Sequence, residues 1–374
     1  MNHPHKIALG LSGGVDSAVS AKLLLEAGYE VTAVFMECWR EPGCRAEVDH
    51  QDALKVALAL NLPFQVLDFR TAYQDKVMSY FLAEYQAGRT PNPDVACNRE
   101  IKFGLFYDWA IGHGFDAIAT GHYAQILPLT APDSAVVGLF TAKDAHKDQT
   151  YFLHQLQANQ LGQILFPIGH LTKTEVRAAA TNWNLSVATK PDSVGICFVG
   201  EIDLKKFLTE KLGTNPGPIL DLTGQIIGQH AGLWFHTVGQ RHGFKIDSKK
   251  FLASHAAQLI DQNALPPLYV ISKNTQANSL VVDLKVEQSQ TSFSVSQLIW
   301  LQKPKKTDQL LVRIRHTGEL VPCQLEVAES TAKITLDRPL EGISAGQFGV
   351  FYKASPETQA QQPHQCLGGG VIEV

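Results

Sequence analysis

Two features of this chain have residue types and spacing that could do chemistry: a glycine-rich loop near the N-terminus and two cysteines in unusual local sequence. Gly10–Ser17 reads GLSGGVDS and joins a short apolar run directly to a helical stretch. Gly13 and Gly14 let a backbone approach a phosphate closely, and the start of a helix offers unpaired N–H groups to an anion. Ser12 and Ser17 add hydroxyls, while Gly10, Leu11 and Val15 complete the loop. Asp16 is a carboxylate where phosphates are expected, which makes sense chiefly if a divalent cation such as Mg2+ lies between them. The bland alternative is a tight strand-to-helix turn, with Asp16 and Ser17 as capping residues. No lysine stands where a Walker A loop would carry one.

The first cysteine lies in RTPNPDVACNREIKFG, residues 89–104. Pro91 and Pro93 force an extended approach. Cys97 is then expected near the start of a helix, with Arg99 and Lys102 close by, a setting that favours thiolate. Asp94 precedes it as a proton acceptor or substrate-orienting group. The second cysteine lies in KPDSVGICFVGEID, residues 190–203, where Cys197 occupies a turn between Gly195 and Gly200. A thiol on a mobile loop suits a sulfur carrier. Taken singly, either cysteine also reads as a small buried hydrophobe. Cys38, Cys44, Cys323 and Cys366 carry no comparable context.

The elements that must position these groups are legible as alternation. KIALGL, VTAVFM, FQVLDF and DAIATGH read as buried strands, separated by helical stretches through SAVSAKLLLEAG, EVDHQDALKVALAL and Leu105–Trp109. Such alternation implies a parallel sheet covered on both faces, with ligands beyond the carboxyl ends of its strands. A helical region is expected over residues 151–184, with Thr172 and Glu175 forming a capping box. From about Pro216 onward, short alternating runs between Gly, Asn and Pro read as β-rich, with a break at residues 284–294 that separates two small modules. The stretch 247–267 reads as a surface loop or short helix. The expected organisation is a catalytic domain over 1–203, a central β-rich domain over 204–283 and a β-barrel over 284–374.

Composition narrows the class. The 374 residues are 45% apolar and 18% charged, enough for a large core. A formal net charge of −4 means that any nucleic-acid partner must be held by a local patch. No apolar run reaches about 18 residues, and the N-terminus leads at once into a strand, so a cytoplasmic protein without membrane span or leader peptide is expected. The six cysteines form no C-x-x-C pair, which argues against structural zinc.

The loop resembles that of enzymes that adenylate a carbonyl oxygen and release pyrophosphate, and the whole pattern resembles the tRNA-specific 2-thiouridylases. GLSGGVDS, RTPNPDVACNREIKFG, IATGHYA, KDQTYFL, DSVGICFVG, VGQRHGF and QFGVFY with CLGGGVI carry the likeness over nearly the whole chain. Departures fall at His242, Leu268 and Ile314. The resemblance implies an α/β fold whose adenine-nucleotide α-hydrolase-like N-terminal domain precedes two β-rich modules. It implies ATP and Mg2+ as requirements, with Met36 and Gly121 lining the adenine pocket. Cys197 would carry a persulfide loaded by a sulfur-donor relay protein, and Cys97 would be the nucleophile that closes a transient Cys97–Cys197 disulfide. Asn92, Pro93 and Asp94 would border the flipped base. His122, Lys147, Asp148 and Gln149 would lie near the RNA, although His122 alone reads as a structural histidine. Arg313, Arg315 and Gln347 would grip the anticodon arm of tRNA, the two arginines on one strand face that otherwise reads as merely solvated. An amide-forming or amidotransferase-type adenylator would explain the loop but leave both thiols idle. A non-catalytic RNA-binding protein would have no use for an intact loop.

Overall fold

The computed structural model describes residues 5–373 except 41–43, 130–135, 193–194, 196, 201–202, 256–265, 285–288 and 356–361. Its first sheet is wholly parallel, in the order β3 (Phe64–Asp68), β2 (Glu30–Glu37), β1 (Lys6–Gly10), β4 (Ala117–Thr120) and β7 (Ile164–Leu165). Alternate side chains feed two cores. Ala8, Val34, Met36 and Ile118 enter one, while Ile7, Leu9, Ala33, Phe35 and Ala119 enter the other. Both faces of β1, β2 and β4 are therefore dry, which explains their continuous apolar runs, whereas β3, expected as buried, is an edge strand with Gln65, Val66 and Asp68 exposed. The strand order reverses between β1 and β4. The loop after β1 and the loop after β4 thus meet at the carboxyl edge, the ordinary place for a ligand in such a sheet.

The region expected as helical over 151–184 is broken. A short helix at Thr150–Leu153 and a 3-10 turn at Ala158–Gln163 lead into β7, and only Lys173–Asn182 forms a longer helix. β7 is just two residues long, too short to leave a periodic signal. The capping box is present as expected: the Glu175 amide donates to Thr172 Oγ1, and the Thr172 amide donates to the Glu175 carboxylate. The stretch expected as a loop or short helix opens with the helix Ser248–His255, while 256–265 lie outside the described residues.

A second sheet contains β8 (Gly217–Leu220), β9 (Ile226–His230), β10 (Lys245–Ile246), β11 (Leu268–Asn274) and β12 (Ser279–Leu284), in the order β10-β9-β8-β12-β11. The third contains β13 (Gln290–Trp300), β14 (Leu310–Arg313), β15 (Val321–Ala328), β16 (Thr331–Leu340), β17 (Phe348–Lys353) and β18 (Gln365–Glu373). β13 pairs with both β16 and β18, closing six strands into a barrel. Two further strands, β5 (Gln125–Pro128) and β6 (Val137–Phe140), continue this sheet from β18, with Gln365 opposite Phe140 and Cys366 opposite Leu139. They belong in sequence to the segment that carries the first sheet, between β4 and β7. Phe348, Val350, Tyr352 and Cys366 of the barrel also share a core with β1, β2 and β4. Among the described residues no helix is long and apolar enough to cross a membrane.

Candidate active site

The phosphate loop is shaped by what surrounds it. Gly13 has φ +75°, and a Cβ there would lie 2.2 Å from the Asp49 carbonyl oxygen of the helix Ala46–Ala59. Gly121, just after β4, would place a Cβ 2.7 Å from the Ser17 nitrogen, so only glycine lets the two switch-point loops touch. Gly14 is the N-cap of the helix Val15–Glu26 and no side chain caps it. The helix start thus retains the character of an anion site. Ser17 Oγ donates to the Gly14 carbonyl at 3.1 Å and lies 3.1 Å from Ser12 Oγ. Leu11, Val15 and Met36 are buried below, Met36 lying over the Cα of Gly10.

Asp16 is not at an exposed loop end. Its carboxylate accepts from Lys173 Nζ at 2.7 and 2.8 Å and from Tyr123 Oη at 2.8 Å. Lys173 also reaches Asp192 at 3.0 Å. On the other side of the loop, Lys190 Nζ donates to the Gly13 carbonyl at 2.9 Å, to Asp49 at 2.8 Å and to Asp52 at 2.6 Å. The cations absent from the loop itself therefore arrive from remote segments. Asp192 is also paired with Lys147 and Arg177, and Lys147 and Lys173 hold it well below the usual carboxylate range despite its partial burial. Among the described residues no group of three or more His, Cys, Asp or Glu side chains could hold a metal. Asp16 with Ser12 and Ser17 suits only a cation carried mainly by phosphates, which is how Mg2+ is commonly bound.

Cys97 and Cys197 come together although a hundred residues of sequence separate them. Pro93 occupies the first turn of the short helix Pro93–Cys97, with Asn92 as its N-cap. The helical run continues without a break through a wide-turn segment over Asn98–Leu105, which contains Ile101, so Cys97 lies near the start of that helix as expected. Cys97 is fully buried, and Cys197 packs against the core cluster that contains it, close enough for the two thiols to influence each other's charge. No disulfide joins them. The turn carrying Cys197 is tied down: its amide donates to Asp94 Oδ1 at 2.9 Å, and its carbonyl accepts from Tyr73 Oη at 2.7 Å. Phe198 beside it adopts φ +65°, a region unfavourable for a bulky residue.

The two thiols are electrostatically unlike. Burial, then the nearby Cys197 thiol, pushes the Cys97 thiol well up. The nearby Cys97 thiol lowers Cys197 and outweighs its burial, with Lys102 adding to the effect. Of the two, Cys197 is the thiol disposed to ionise first. Arg99 plays no part, being turned to Glu100 and Gln155. Lys102 is the cation of this chamber, its Nζ 3.4 Å from His122 Nε2 and 5.4 Å from the Phe198 ring centroid. Burial opposes its charge, but the neighbouring thiols and Asp94 overcome that and keep it protonated. Burial raises the Asp94 carboxyl, making it a better base.

His122 is buried, its ring packed against Phe103 and Phe166 and its Nδ1 2.7 Å from Thr120 Oγ1. Burial, then Lys102, holds it neutral. Since Lys102 must donate, His122 Nε2 accepts, and its proton sits on Nδ1 facing Thr120. His122 thus forms a wall of the thiol chamber. Lys147 is half-buried against Asp192, and Gln149 Oε1 accepts from the Tyr123 amide at 2.9 Å.

Arg313 and Asp148 overturn their expected placement. Arg313 is 8% exposed, and its Nη1 donates to Asp148 Oδ2 at 2.6 Å. Asp148, 2% exposed, also accepts from Thr150 Oγ1 and the Ala142 amide. The pair joins the barrel to the first sheet's domain and reaches no surface. β14 ends at Arg313, so Arg315 shares no strand face with it. Arg315 is exposed and, with Gln347, Thr90, Thr237 and Tyr269, lines a cavity of about 450 Å³ where all three sheets' segments meet. Gln347 Nε2 donates there to the Thr90 carbonyl at 2.8 Å.

Sequence reasoning missed Lys173, Lys190, Tyr123 and Tyr73. Nothing in the text of the chain marks them, because their importance lies in reaching across it.

Residues 5–201 match the family described as tRNA methyl transferase HUP domain, 205–283 the tRNA methyl transferase PRC-barrel domain, and 290–372 the aminomethyltransferase beta-barrel domain. The chain is 39% identical over 378 residues to the tRNA-specific 2-thiouridylase MnmA of Lactococcus lactis subsp. lactis, covering 99% of this chain and 95% of that protein. It is likewise 39% identical over 381 residues to that of Streptococcus sanguinis, covering 100% and 96%, and 39% identical over 383 residues to that of Photorhabdus laumondii, covering 100% and 98%. With its phosphate loop and paired thiols intact along that length, the chain belongs to the tRNA-specific 2-thiouridylase family.

Proposed function

We propose that this protein is a tRNA-uridine 2-sulfurtransferase that thiolates the wobble uridine (position 34) of tRNA and converts ATP to AMP and pyrophosphate. The observation that carries the reading is that Cys97 and Cys197, a hundred residues apart in sequence, meet in one buried chamber with Lys102 and Asp94. Methyl transfer, named in two of the family descriptions, gives no role to such a pair, and neither does amide formation.

The uracil C2 oxygen is a poor leaving group, so it is first made into a good one by attacking the α-phosphate of ATP. The loop Gly10–Ser17 holds the departing pyrophosphate, with Met36 and Gly121 beside the adenine. Mg2+, held by Asp16 together with the phosphates, would supply positive charge to that leaving group. The target base must leave its stack to reach this depth, and Asn92, Pro93 and Asp94 border the place it enters. Asp94 takes a proton from the uracil as the oxygen attacks.

Sulfur enters at Cys197. Its thiolate attacks the outer sulfur of a persulfide on a donor relay protein, forming Cys197–S–SH and releasing the donor thiolate. Cys97 gives up its proton beside Lys102, the cation of the chamber. The Cys97 thiolate then attacks the inner sulfur, forming the Cys97–Cys197 disulfide and releasing hydrosulfide. Hydrosulfide adds at C2 and expels AMP, and two external thiols reduce the disulfide. The anticodon arm lies on the side of Arg315 and Gln347, with Lys147 and Gln149 nearer the base. We further propose a division into 1–203, 204–283 and 284–374, and a cytoplasmic setting in which thiols regenerate the enzyme.

The test is incubation of the purified protein with ATP, Mg2+, unmodified tRNA and a persulfide donor. AMP, pyrophosphate and 2-thiouridine at position 34 should appear together. ADP and phosphate as main products would defeat the assignment.

A further inference from the structure

We propose that Lys173 and Lys190 are the cations that take the β- and γ-phosphates of ATP and the released pyrophosphate, although neither belongs to the phosphate loop. The proposal rests on the ATP reading above and gives that site its missing positive charge.

A polyphosphate needs cations, and GLSGGVDS contains none. Among the described residues, the lysines that contact loop atoms are these two. Lys173 Nζ is on Asp16, and Lys190 Nζ is on the Gly13 carbonyl. They approach from opposite sides, Lys173 from the start of the helix Lys173–Asn182 and Lys190 from the segment that follows it. Each side chain is only 12% exposed, so the cost of drawing the charge out of water has already been met in the ligand-free protein. Their present partners are carboxylates: Asp16 and Asp192 for Lys173, Asp49 and Asp52 for Lys190. An incoming phosphate offers the same acceptor type, so the lysines can exchange partners, while the Mg2+ that accompanies the phosphates would offset the negative charge they add beside the released carboxylates. The exchange also frees Asp16 for a phosphate-borne cation, which its present lysine partner opposes.

Position matters as well as charge. Thr172 and Glu175 clamp the first turn of the helix that begins at Lys173. Lys173 is further steadied by the Tyr123 ring at 5.8 Å and by its own amide, which donates to Asp144 at 2.9 Å. Tyr123 donates to Asp16 in turn. The lysine is therefore set on a rigid support whose parts all point at the loop.

The experiment measures binding of inorganic pyrophosphate and of AMP by calorimetry, with Mg2+ present, to the full-length protein and its variants. Lys173→Met and Lys190→Met should each weaken pyrophosphate by about tenfold or more, as expected for a charge-assisted contact, and leave AMP nearly unchanged. Charge-balanced doubles, Lys173→Met with Asp192→Asn and Lys190→Met with Asp52→Asn, should remain weak. Recovery of parental affinity in the doubles would overturn the proposal, since the lysines would then merely neutralise their carboxylates. So would single variants within about twofold of the parent. Lys173→Arg, which keeps the charge, should retain more affinity than Lys173→Met and shows that the site still folds. A parent protein that binds neither ATP nor pyrophosphate would instead sink the ATP reading and this inference together.

Discussion

The phosphate loop and the thiol chamber solve opposite problems within one domain. The loop is one stretch of backbone crowded by ions of both signs, where Lys173 and Lys190 face Asp16, Asp49, Asp52 and Asp192. The chamber is assembled from Tyr73, Asp94, Cys97, Lys102, His122 and Cys197, and a single lysine answers all its negative charge. A polyphosphate can be met by exchanging partners among many ions. A thiolate that must form on one sulfur and then on its neighbour needs few competing charges, so that one proton more or less changes which atom reacts.

The sharpest way to break this contrast is to remove a thiol. Cys97→Ser and Cys197→Ser should each abolish 2-thiouridine formation, measured by mass spectrometry of digested tRNA, while Cys197→Ser still releases pyrophosphate. A Cys97→Ser protein that thiolates over repeated turnovers would show that the chamber works with one sulfur.

A second variant asks whether either region survives without its tie to the barrel. Arg313→Ala leaves Asp148 buried and unpaired, and unfolding in urea should show a loss of about 3–5 kcal/mol. Arg315→Ala, at an exposed position, should change stability by less than about 0.5 kcal/mol yet weaken tRNA binding and flatten its salt dependence. Equal behaviour of the two arginines would contradict the division between an internal tie and an RNA contact.

The charge of the chamber is tested by alkylation rate against pH. Cys197 should react with iodoacetamide at lower pH than Cys97, because its folded value is depressed and that of Cys97 is raised. Lys102→Met removes the cation and should move the Cys197 profile upward by about one pH unit or more, as expected on losing a nearby opposite charge. The smallest effect belongs to the loop's support: Thr172→Ala should cost about 1 kcal/mol in thermal unfolding through the lost cap. Its pyrophosphate affinity should fall only slightly, since Lys173 keeps its charge.

The loop was legible because a motif on consecutive residues fixes its own geometry. Gly13 and Gly14 announce close approach, and a strand followed by a helix places them. The parallel sheet was legible for a similar reason, since burial on both faces writes itself as apolar runs. The cysteines were legible as candidates, but not their relative acidity. That order depends on how deeply Cys97 is buried and on Lys102 turning inward, neither of which is local. Arg313 misled because alternation along a strand tells which residues share a face, not whether that face is covered. Here the face is covered by the Asp148 segment, from more than 160 residues earlier in the chain. The two-residue β7 and the hairpin β5–β6 are too short to stand out from surrounding loops.

That hairpin decides how the molecule can be taken apart. β6 pairs with β18, so the barrel's sheet runs on into the segment that carries the first sheet. A truncation that stops before β13 would strip β6 of this neighbour and leave a bare strand edge, the kind of surface on which chains stack into aggregates. It would also leave the Asp148 carboxylate buried without Arg313. A fragment ending near residue 283 should therefore be recovered largely in inclusion bodies. Co-expression of residues 284–374 as a separate chain should restore solubility by re-forming that edge.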